Sequence, residues 1–480
     1  MAGIGVKLNK IYDKNTLTTD LFGMGYSVCI TIAPMVLVIL AVIVMNILLD
    51  TTTCGYTERE LFACTVLYMF IFALLTASPF NAVLSKYMSD VIYEEKYEDI
   101  MPCYYVGLCF NTAFSAIVGV PFCIWEYIVG KVPVYYVFTG YCGYMALMLV
   151  FYSMLYLSIC KDYKKISGYF LMGMLLTVIM SYVLSTFLGV NKSYAMLVSL
   201  VAGFLLIAVL EYSLIQSYFT KNSGEYRRVL EYFKRFKKLV FSNFLYILGL
   251  YIHNFVFWTT SLHIVVVKSF VCVTSYDMAT CLAMFTNISA SVIFISRVEM
   301  HFHERYKAYS EAVIGGRYSD IVLTKKRMFR QLSEELSNLV RIQFIVSIII
   351  FFICMITLPM FGFGGMVMKI YPCLAAGYFI LFIMYAAIIF LYYFNDMSGS
   401  LITAAIFCIV TMLVSIVATK LNPIWYGIGV VAGSFAGYTY AYYRLKWMEK
   451  HIDEHVFCKG SILEEGEGTK PSSLVYDRIK

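Results

Sequence analysis

The sequence contains little charge. Asp, Glu, Lys and Arg make up only 14% of its 480 residues and hydrophobic residues make up 61%, against about 25% and 45–50% in a typical soluble domain. Between Asp20 and Asp50 there is no charged residue at all. As a helix rising ~1.5 Å per residue, this stretch would be roughly 40 Å long, enough to cross the ~30 Å hydrocarbon core of a bilayer. The scarcity of charge excludes an ordinary soluble domain and predicts a chain embedded in a membrane.

Signatures of enzymes, metal sites and cofactor sites are also missing. The sequence has no nucleophile elbow, P-loop or Rossmann fingerprint, and its 14 cysteines form no CxxC pair. His301 and His303 are two residues apart, so they cannot share a helical face. We therefore predict no catalytic residue, no metal and no cofactor. A membrane glycosyltransferase is disfavoured because such enzymes usually carry large outside loops, and none is found here.

Twelve long apolar segments account for most of the chain. The predicted spans are 22–49, 61–86, 103–127, 135–160, 168–188, 194–219, 242–260, 277–299, 342–361, 371–394, 401–419 and 424–445. Of the 37 Lys and Arg residues, 31 fall in the N-terminus, the even-numbered loops and the C-terminal tail, and six fall in the odd-numbered loops. Because cytoplasmic loops carry the excess of Lys and Arg, we predict a multi-pass membrane protein with both termini cytoplasmic.

The same charge distribution bears on partners and on cysteines. The basic residues lie in juxtamembrane loops rather than in one soluble patch, which disfavours a nucleic-acid partner and leaves the lipid bilayer as their expected neighbour. Only Cys54 and Cys272 lie clearly in predicted outside loops. Their spacing does not indicate a disulfide framework.

The spans divide into two equal sets. Six precede residue 220 and six follow residue 241, which predicts an N-terminal six-helix lobe (1–220) and a C-terminal lobe (241–447) with a cytoplasmic insert (301–341). Residues 448–480 would form a cytoplasmic tail. Because six is an even number, duplicated halves would share one orientation and be related by an axis along the membrane normal.

The segment between the lobes, residues 221–240, predicts an amphipathic helix. Its apolar face consists of Val229, Leu230, Phe233, Phe236 and Val240. Basic residues surround this face, which is typical of a helix that lies in the membrane interface. Two interpretations remain open, a tether between moving lobes and an ordinary basic determinant of topology.

Polar residues inside spans are the candidates for a substrate pathway, because burying them in a membrane is costly. Glu211 lies in span six, and His253 and Asn254 lie near the middle of span seven. We predict that Glu211 faces a central cavity with His253 and Asn254 opposite. The alternative is that all three are polar groups packed against neighbouring helices.

Charged residues at the inner ends of spans two and eight are candidates for a cytoplasmic gate. Lys86 and Asp90 are four residues apart on one helical face, and Arg297 and Glu299 end span eight. They would contact one another in the outward-facing state, or would simply be solvated helix ends. Helix breaks in transporters often bend a gate. We predict kinks at Pro34, Pro79 and Pro121, which interrupt the first three spans.

Several segments, in order, resemble members of the PelG family of Pel exopolysaccharide exporters. They are MAGIGVKLNKIY at 1–12, GYS at 25–27, Ala33-Pro34, SKYMSDVIYEEKYEDIMP at 85–102, LYILGLYIHNFVFW at 245–258, SYDMA at 275–279, RVEMHFHERYKAYSEAVIGG at 297–316 and LYYFND at 391–396. Each segment alone is weakly specific, but the ordered set covers most of the chain.

The resemblance implies more than the residues do. This family belongs to the superfamily of polysaccharide flippases and MATE-type exporters, so the resemblance implies an all-α membrane protein with twelve transmembrane helices in two six-helix lobes around a central cavity. It also implies export of a Pel-type amino-sugar polymer across the bacterial cytoplasmic (inner) membrane by a flippase-like or conduit mechanism. The implied partners are a cytoplasmic PelF-like glycosyltransferase and membrane subunits that are PelD-like and PelE-like.

Two other functions remain open at this point. One is a cation-coupled MATE-type small-molecule antiporter. The other is a scaffold that anchors the glycosyltransferase without transporting anything.

Overall fold

The computed structural model of the chain describes residues 17–160, 163–287, 299–360 and 364–459. Within them the chain is almost entirely helical. The first half forms α1 (Leu17–Leu48), α2 (Tyr56–Tyr93), α3 (Ile100–Ile128), α4 (Val134–Cys160), α5 (Tyr163–Thr186), α6 (Lys192–Tyr218) and α7 (Tyr226–Arg235). The second half forms α8 (Lys237–Trp258), α9 (Thr274–Asn287), α10 (Glu299–Gly315), α11 (Tyr318–Met360), α12 (Met366–Tyr393), α13 (Met397–Ala418) and α14 (Ile428–Lys459).

Nine helices in the described part of the chain are long and apolar enough to cross a membrane. They correspond to predicted spans two to seven and nine to eleven. Span one lies in α1, of which 33–48 is a shorter apolar helix. Span eight begins in α9 and continues into 288–298, outside the described residues, and span twelve forms the first part of α14. The multi-pass membrane architecture is therefore confirmed, whereas the count of twelve stays a prediction.

Helix packing repeats in the two halves. In the first half α1 packs on α5, α2 on α4, and α6 on both α4 and α5. In the second half the corresponding contacts are α8 on α13, α9 on α12, and α14 on both α12 and α13. Helices at equivalent positions in the two halves make equivalent contacts. The chain therefore forms two similar lobes, as the even division of the spans predicted.

Small residues allow the closest of these contacts. A Cβ atom on Gly203 of α6 would lie 2.8 Å from the carbonyl oxygen of Gly173 on α5. A Cβ atom on Gly433 of α14 would lie 2.9 Å from the backbone nitrogen of Thr411 on α13. Helices in a membrane associate through close packing because lipid supplies no hydrophobic driving force between them. The equivalent helix pair is thus packed backbone to backbone in both lobes.

The only strands in the described residues form a hairpin between α8 and α9. β1 (Ile264–Val266) pairs antiparallel with β2 (Phe270–Cys272), with Val265 opposite Val271. Val267 and Lys268 lie in its turn with φ of 51° and 62°, the left-handed region that a β-branched residue such as valine rarely adopts. The predicted spans, which end at 260 and begin again at 277, indicated only a loop here. The hairpin packs on α2 of the other lobe, and we call the end of the molecule that carries it the outer end.

The opposite end, called the inner end, carries α7 and α10. α11 has 43 residues, or about 65 Å at ~1.5 Å per residue, so the predicted insert 301–341 and span nine share one continuous helix. Helix α14 likewise continues to residue 459, into the segment that we predicted as a tail. A core that includes Phe302, Phe329, Phe390 and Met448 joins these helices.

The three prolines lie within helices that continue on both sides of them. Pro34 and Pro79 are buried in α1 and α2, whereas Pro121 is exposed on α3. Two of the predicted kink positions therefore face protein and one faces the surroundings. Whether they bend a gate stays a prediction.

Candidate translocation site

The two lobes meet along helices α2 and α8, which run antiparallel, and we call this contact the seam. Near the outer end Tyr68 stacks on Trp258 with ring centroids 4.9 Å apart, and one turn further inward Phe72 stacks on Phe255 at 6.0 Å. At the inner end Val83 packs in one cluster with Phe236. The seam is therefore lined mainly by apolar and aromatic side chains, which can separate without breaking ion pairs.

At the outer end the hairpin closes the seam with uncharged contacts. The Tyr68 hydroxyl donates to the carbonyl oxygen of Val271 (2.7 Å) and accepts from its backbone N–H (3.1 Å). The Sγ atoms of Cys64 on α2 and Cys272 on β2 lie 3.0 Å apart, and both side chains are buried. Cys272 is thus enclosed between the lobes, although its loop position suggested exposure. The sequence analysis missed this pair because its members are 208 residues apart.

At the inner end two of the predicted gate residues contact the segment that joins the lobes. The Lys86 Nζ lies 3.9 Å from Asp90 Oδ2 and 4.9 Å from the ring centre of Phe236. The Tyr232 hydroxyl donates to Asp90 at 3.1 Å. Of the other two residues, Arg297 lies outside the described residues, and only the backbone of Glu299 is described, at the start of α10. A gate between spans two and eight stays a prediction.

Helix α7 in the linker is bound to the N-terminal lobe by Arg228. Its guanidinium donates to both oxygens of Glu94 (2.9 and 2.8 Å) and to Asp99 (3.0 Å). The Arg228 hydrogen bonds and the nearby Lys96 lower the pKa of Glu94 below its usual value. Beneath this ion pair Val229 is buried. Since α8 begins two residues after α7 ends, the linker connects the acidic inner rim of one lobe directly to the seam helix of the other.

Of the predicted apolar face of the linker, only part is covered by protein. Val229 and Phe236 are buried, whereas Leu230 is 40% exposed. The basic Arg228 faces carboxylates of the chain itself rather than lipid. These contacts attach the linker helix to the N-terminal lobe, and the choice between a tether of moving lobes and a topology determinant stays a prediction.

Glu211 lies on α6 inside the N-terminal lobe, where α6 packs on α4 and α5. Its side chain is 0% exposed, and neither carboxylate oxygen has a hydrogen-bond partner among the described residues. In this conformation it is enclosed by protein rather than open to a cavity. Its role in the substrate pathway stays a prediction.

His253 and Asn254 pack inside the C-terminal lobe. The His253 Nδ1 lies 2.9 Å from the Tyr276 hydroxyl and Nε2 lies 3.3 Å from the Tyr378 hydroxyl. Asn254 donates to Asp277 at 2.7 Å. Each residue of the pair has partners within its own lobe, and the placement of Glu211 opposite them across a central cavity stays a prediction. These contacts match the alternative of packed polar groups, and a pathway role for the pair stays a prediction.

A cavity of about 270 Å³ lies beside the seam at the outer end, between α2, α3 and α4, and Phe270 of the hairpin forms part of its wall. Seven of its lining side chains are aromatic. Glu126 supplies the only carboxylate among the described lining residues, and none of these is Lys or Arg. The sequence analysis missed Glu126 because it lies at the outer end of span three, where a charged residue is unremarkable.

Comparisons with known proteins agree with this architecture. The profile of the PelG family, described as exopolysaccharide exporter (EPS-E), matches residues 1–457. No curated protein sequence matches the chain.

Three of the similar solved structures are MATE transporters. A mutant of the Vibrio cholerae transporter VcmN has a TM-score of 0.60 at 11% identity, over 96% of this chain and 100% of that one. A MATE protein in the bent conformation has a TM-score of 0.58 at 12% identity, over 90% and 96%. An inward-facing member of the MOP superfamily has a TM-score of 0.55 at 11% identity, over 85% and 99%. At such identities the likeness shows the fold alone.

Proposed function

We propose that this chain, which belongs to the PelG family of exopolysaccharide exporters and is a multi-pass membrane transporter, is not an enzyme and carries an amino-sugar polymer of the Pel type between its two lobes. The observation that carries the proposal is the seam. It is closed at the outer end by one set of contacts, around Tyr68 and Cys272, and at the inner end by another, around Phe236 and Arg228. Alternating access needs two such closures that open separately.

The closures differ in chemistry, which supports separate opening. Hydrogen bonds and ring stacking, with no ion pair between the hairpin and α2 among the described residues, hold the outer end. Each such bond contributes only about 0.5–1.5 kcal/mol net, so a bound polymer can compensate for their loss. At the inner end Phe236 packs in one cluster with Val83, and the linker that carries Phe236 is bound to the N-terminal lobe through the charged Arg228. Both a flippase-like cycle and a conduit that opens for the growing polymer fit this arrangement.

The proposal includes a localisation and a set of partners. In this proposal the protein lies in the cytoplasmic membrane with both termini and the inner end facing the cytoplasm. A PelF-like glycosyltransferase would deliver the polymer there, and PelD-like and PelE-like subunits would complete the assembly. The long helix α11 extends the inner end, which is the side where the glycosyltransferase would deliver the polymer.

Neither rival function is favoured by a specific observation. The likeness to MATE transporters extends to the fold but not to the antiported substrate. A scaffold that only anchors the glycosyltransferase would not need two lobes with separately closed ends.

Locking the outer end tests the proposal against the scaffold. Diamide would remove one hydrogen from each thiol of Cys64 and Cys272, becoming a hydrazine while the two sulfurs form a disulfide across the seam. We expect secretion of the polymer to fall to the level of cells that lack the protein, and a reductant to restore it. Polymer should remain on the cytoplasmic side, protected from an added glycoside hydrolase.

The matched controls are Cys64→Ser and Cys272→Ser, neither of which can form the bridge. Both should secrete normally with and without diamide. Mass spectrometry of the linked peptides confirms the lock. Undiminished secretion from the locked protein would show that the polymer does not pass the seam and would favour the scaffold.

A further inference from the structure

The helices α10 and α11 meet at the inner end in a turn that carries exposed apolar side chains. Ile314, in the last turn of α10, is 69% exposed, and Tyr318, the first residue of α11, is 82% exposed. Val322 and Leu323, one turn further along α11, are also exposed. We call these four residues the tip patch. A single exposed apolar side chain needs no explanation, but a cluster of four indicates a site of interaction.

The position of the tip patch argues against lipid as its neighbour. Phe329 of α11 stacks on Phe394 at the end of α12, with ring centroids 5.3 Å apart, and α12 is long and apolar enough to cross a membrane. Because Tyr318 precedes Phe329 by eleven residues on one continuous helix, it lies about 16 Å further along the helix axis. The headgroup region on one side of a bilayer is only roughly 5–8 Å thick. The tip patch therefore extends beyond the headgroups.

Contacts with the rest of the C-terminal lobe hold α10 and α11 in place. The Lys325 ammonium and the Tyr309 hydroxyl donate to the two oxygens of Asp453 on α14, at 2.6 and 3.3 Å. Phe302 of α10 packs on Phe390 of α12 with ring centroids 4.8 Å apart. A surface that is already ordered loses less conformational entropy when it binds, so the tip patch is suited to binding without rearrangement.

Positive charge surrounds the tip patch. Residues 314–330 contain five Lys or Arg residues and a single carboxylate, that of Asp320. Two of the five basic residues form ion pairs within the chain. The three exposed ones that form no ion pair with another described residue are Arg317, Lys326 and Arg327. Tyr and Arg are enriched where proteins bind one another, and unpaired positive charge around an apolar centre matches a surface with carboxylates around an apolar pocket.

We propose that the tip patch is a docking surface for a cytoplasmic protein whose contact surface has carboxylates around an apolar pocket. Tyr318 is the central anchor, and Lys326 and Arg327 form the charged rim. The inference rests on the proposed function, which places the inner end in the cytoplasm, and it adds the chemistry by which a partner is held there. Because α10 and α11 pack on α12 and α14, the docked protein would be attached to the C-terminal lobe.

The experiment uses the full-length chain in the cells that normally produce it. The photoreactive residue p-benzoylphenylalanine replaces Tyr318, and ultraviolet light crosslinks it to the molecule that it touches. Mass spectrometry then identifies the product and the contact residue. We expect a crosslink to a protein, at a site with Asp or Glu residues around it. The same photoreactive residue at Phe344, which is exposed in the predicted membrane span of α11, should crosslink to lipid and shows that a lipid neighbour would be detected.

Charge reversal distinguishes specific docking from chance capture. Lys326→Glu combined with Arg327→Glu should lower the yield of the crosslinked protein at least about tenfold, because like charges across an interface oppose association. The matched control reverses two exposed charges of the linker, Lys234→Glu combined with Lys237→Glu, and should leave the yield unchanged. Replacing the partner's carboxylates at the mapped contact by lysine should restore the crosslink to the chain with the reversed rim.

A crosslink from position 318 to lipid, to a second copy or to another part of this chain would overturn the proposal. So would the absence of any product at 318 while the lipid product at 344 forms, or a protein product whose yield does not change on charge reversal. None of these results bears on whether the polymer crosses the seam, because the diamide lock measures secretion. Failure of the docking surface and failure of the proposed function are thus distinguishable.

Discussion

Removing the Arg228 guanidinium should release the linker helix α7 from the N-terminal lobe. In Arg228→Gln three charge-assisted hydrogen bonds disappear, two to Glu94 and one to Asp99. Glu94 is about one-third exposed and still forms its ion pair with Lys96 at 2.9 Å in the variant. Solvent therefore reduces the contribution of the Arg228–Glu94 pair to the attachment of α7. Asp99 is 5% exposed, and a buried group that loses its charged partner costs about 1–3 kcal/mol. We expect the free energy of local opening of α7 to fall by about 2–4 kcal/mol in total.

Hydrogen exchange of the α7 amides measures this quantity directly, because protection reports the free energy of local opening. At ~1.4 kcal/mol per factor of ten, the expected loss corresponds to roughly 30- to 700-fold faster exchange in Arg228→Gln. The matched control is Arg227→Gln. Arg227 is on the same helix, its side chain is 92% exposed, and among the described residues it pairs only with Glu231, four residues further along. Such exposed pairs contribute about 0.3–0.5 kcal/mol, so exchange should change about twofold.

The pH dependence provides a second readout. Since Arg228 and Lys96 lower the pKa of Glu94, the stabilisation is fully present above the usual pKa of 4.5 and is lost as pH falls through the lowered value. After correction for intrinsic exchange, protection of α7 should be constant from about pH 7 to pH 5. Equal exchange in the two arginine variants, or protection lost above pH 5, would refute the assignment of Arg228 as the main attachment of the linker.

Two further predictions concern the predicted pathway and the topology. Glu211→Gln keeps the size of the side chain and removes its charge, so the protein should reach the membrane in normal amounts while polymer secretion falls; normal secretion would assign Glu211 to packing alone. Cys54, which is partly exposed at the outer end, should react in whole cells with a membrane-impermeant maleimide in a variant that lacks the other cysteines outside the spans. A variant that keeps Cys458 instead should react only after permeabilisation, and labelling of Cys458 in intact cells would reverse the orientation.

The residues that sequence reasoning located correctly are those whose signal is local. Lys86 and Asp90 are four apart on one helix, and the structure pairs them. The basic run around Arg228 forms a helix with Val229 on its buried side. A helical period and an apolar run depend only on neighbours along the chain, so they can be read without knowing the fold.

The contacts that the sequence analysis missed join distant parts of the chain. Glu126 and Ser269 are 143 residues apart and Tyr68 and Val271 are 203 apart. Neither residue of either pair belongs to a motif. The hairpin was missed for a related reason, since its strands have three residues each and Val267 adopts a turn conformation that its own preference opposes.

By itself the sequence determined that the chain lies in a membrane, that it divides into two equal sets of helices, and which family it resembles. These follow from the transfer of apolar side chains out of water and from the bias of charge across the bilayer, which act on each segment separately. Only the tertiary structure decided which polar residues face one another. It placed His253 and Asn254 among partners of their own lobe, and it brought Glu126 to an aromatic cavity beside the seam. Those placements depend on how helices rotate and pack against each other, because in a lipid environment close packing, rather than hydrophobicity, selects the contacting faces.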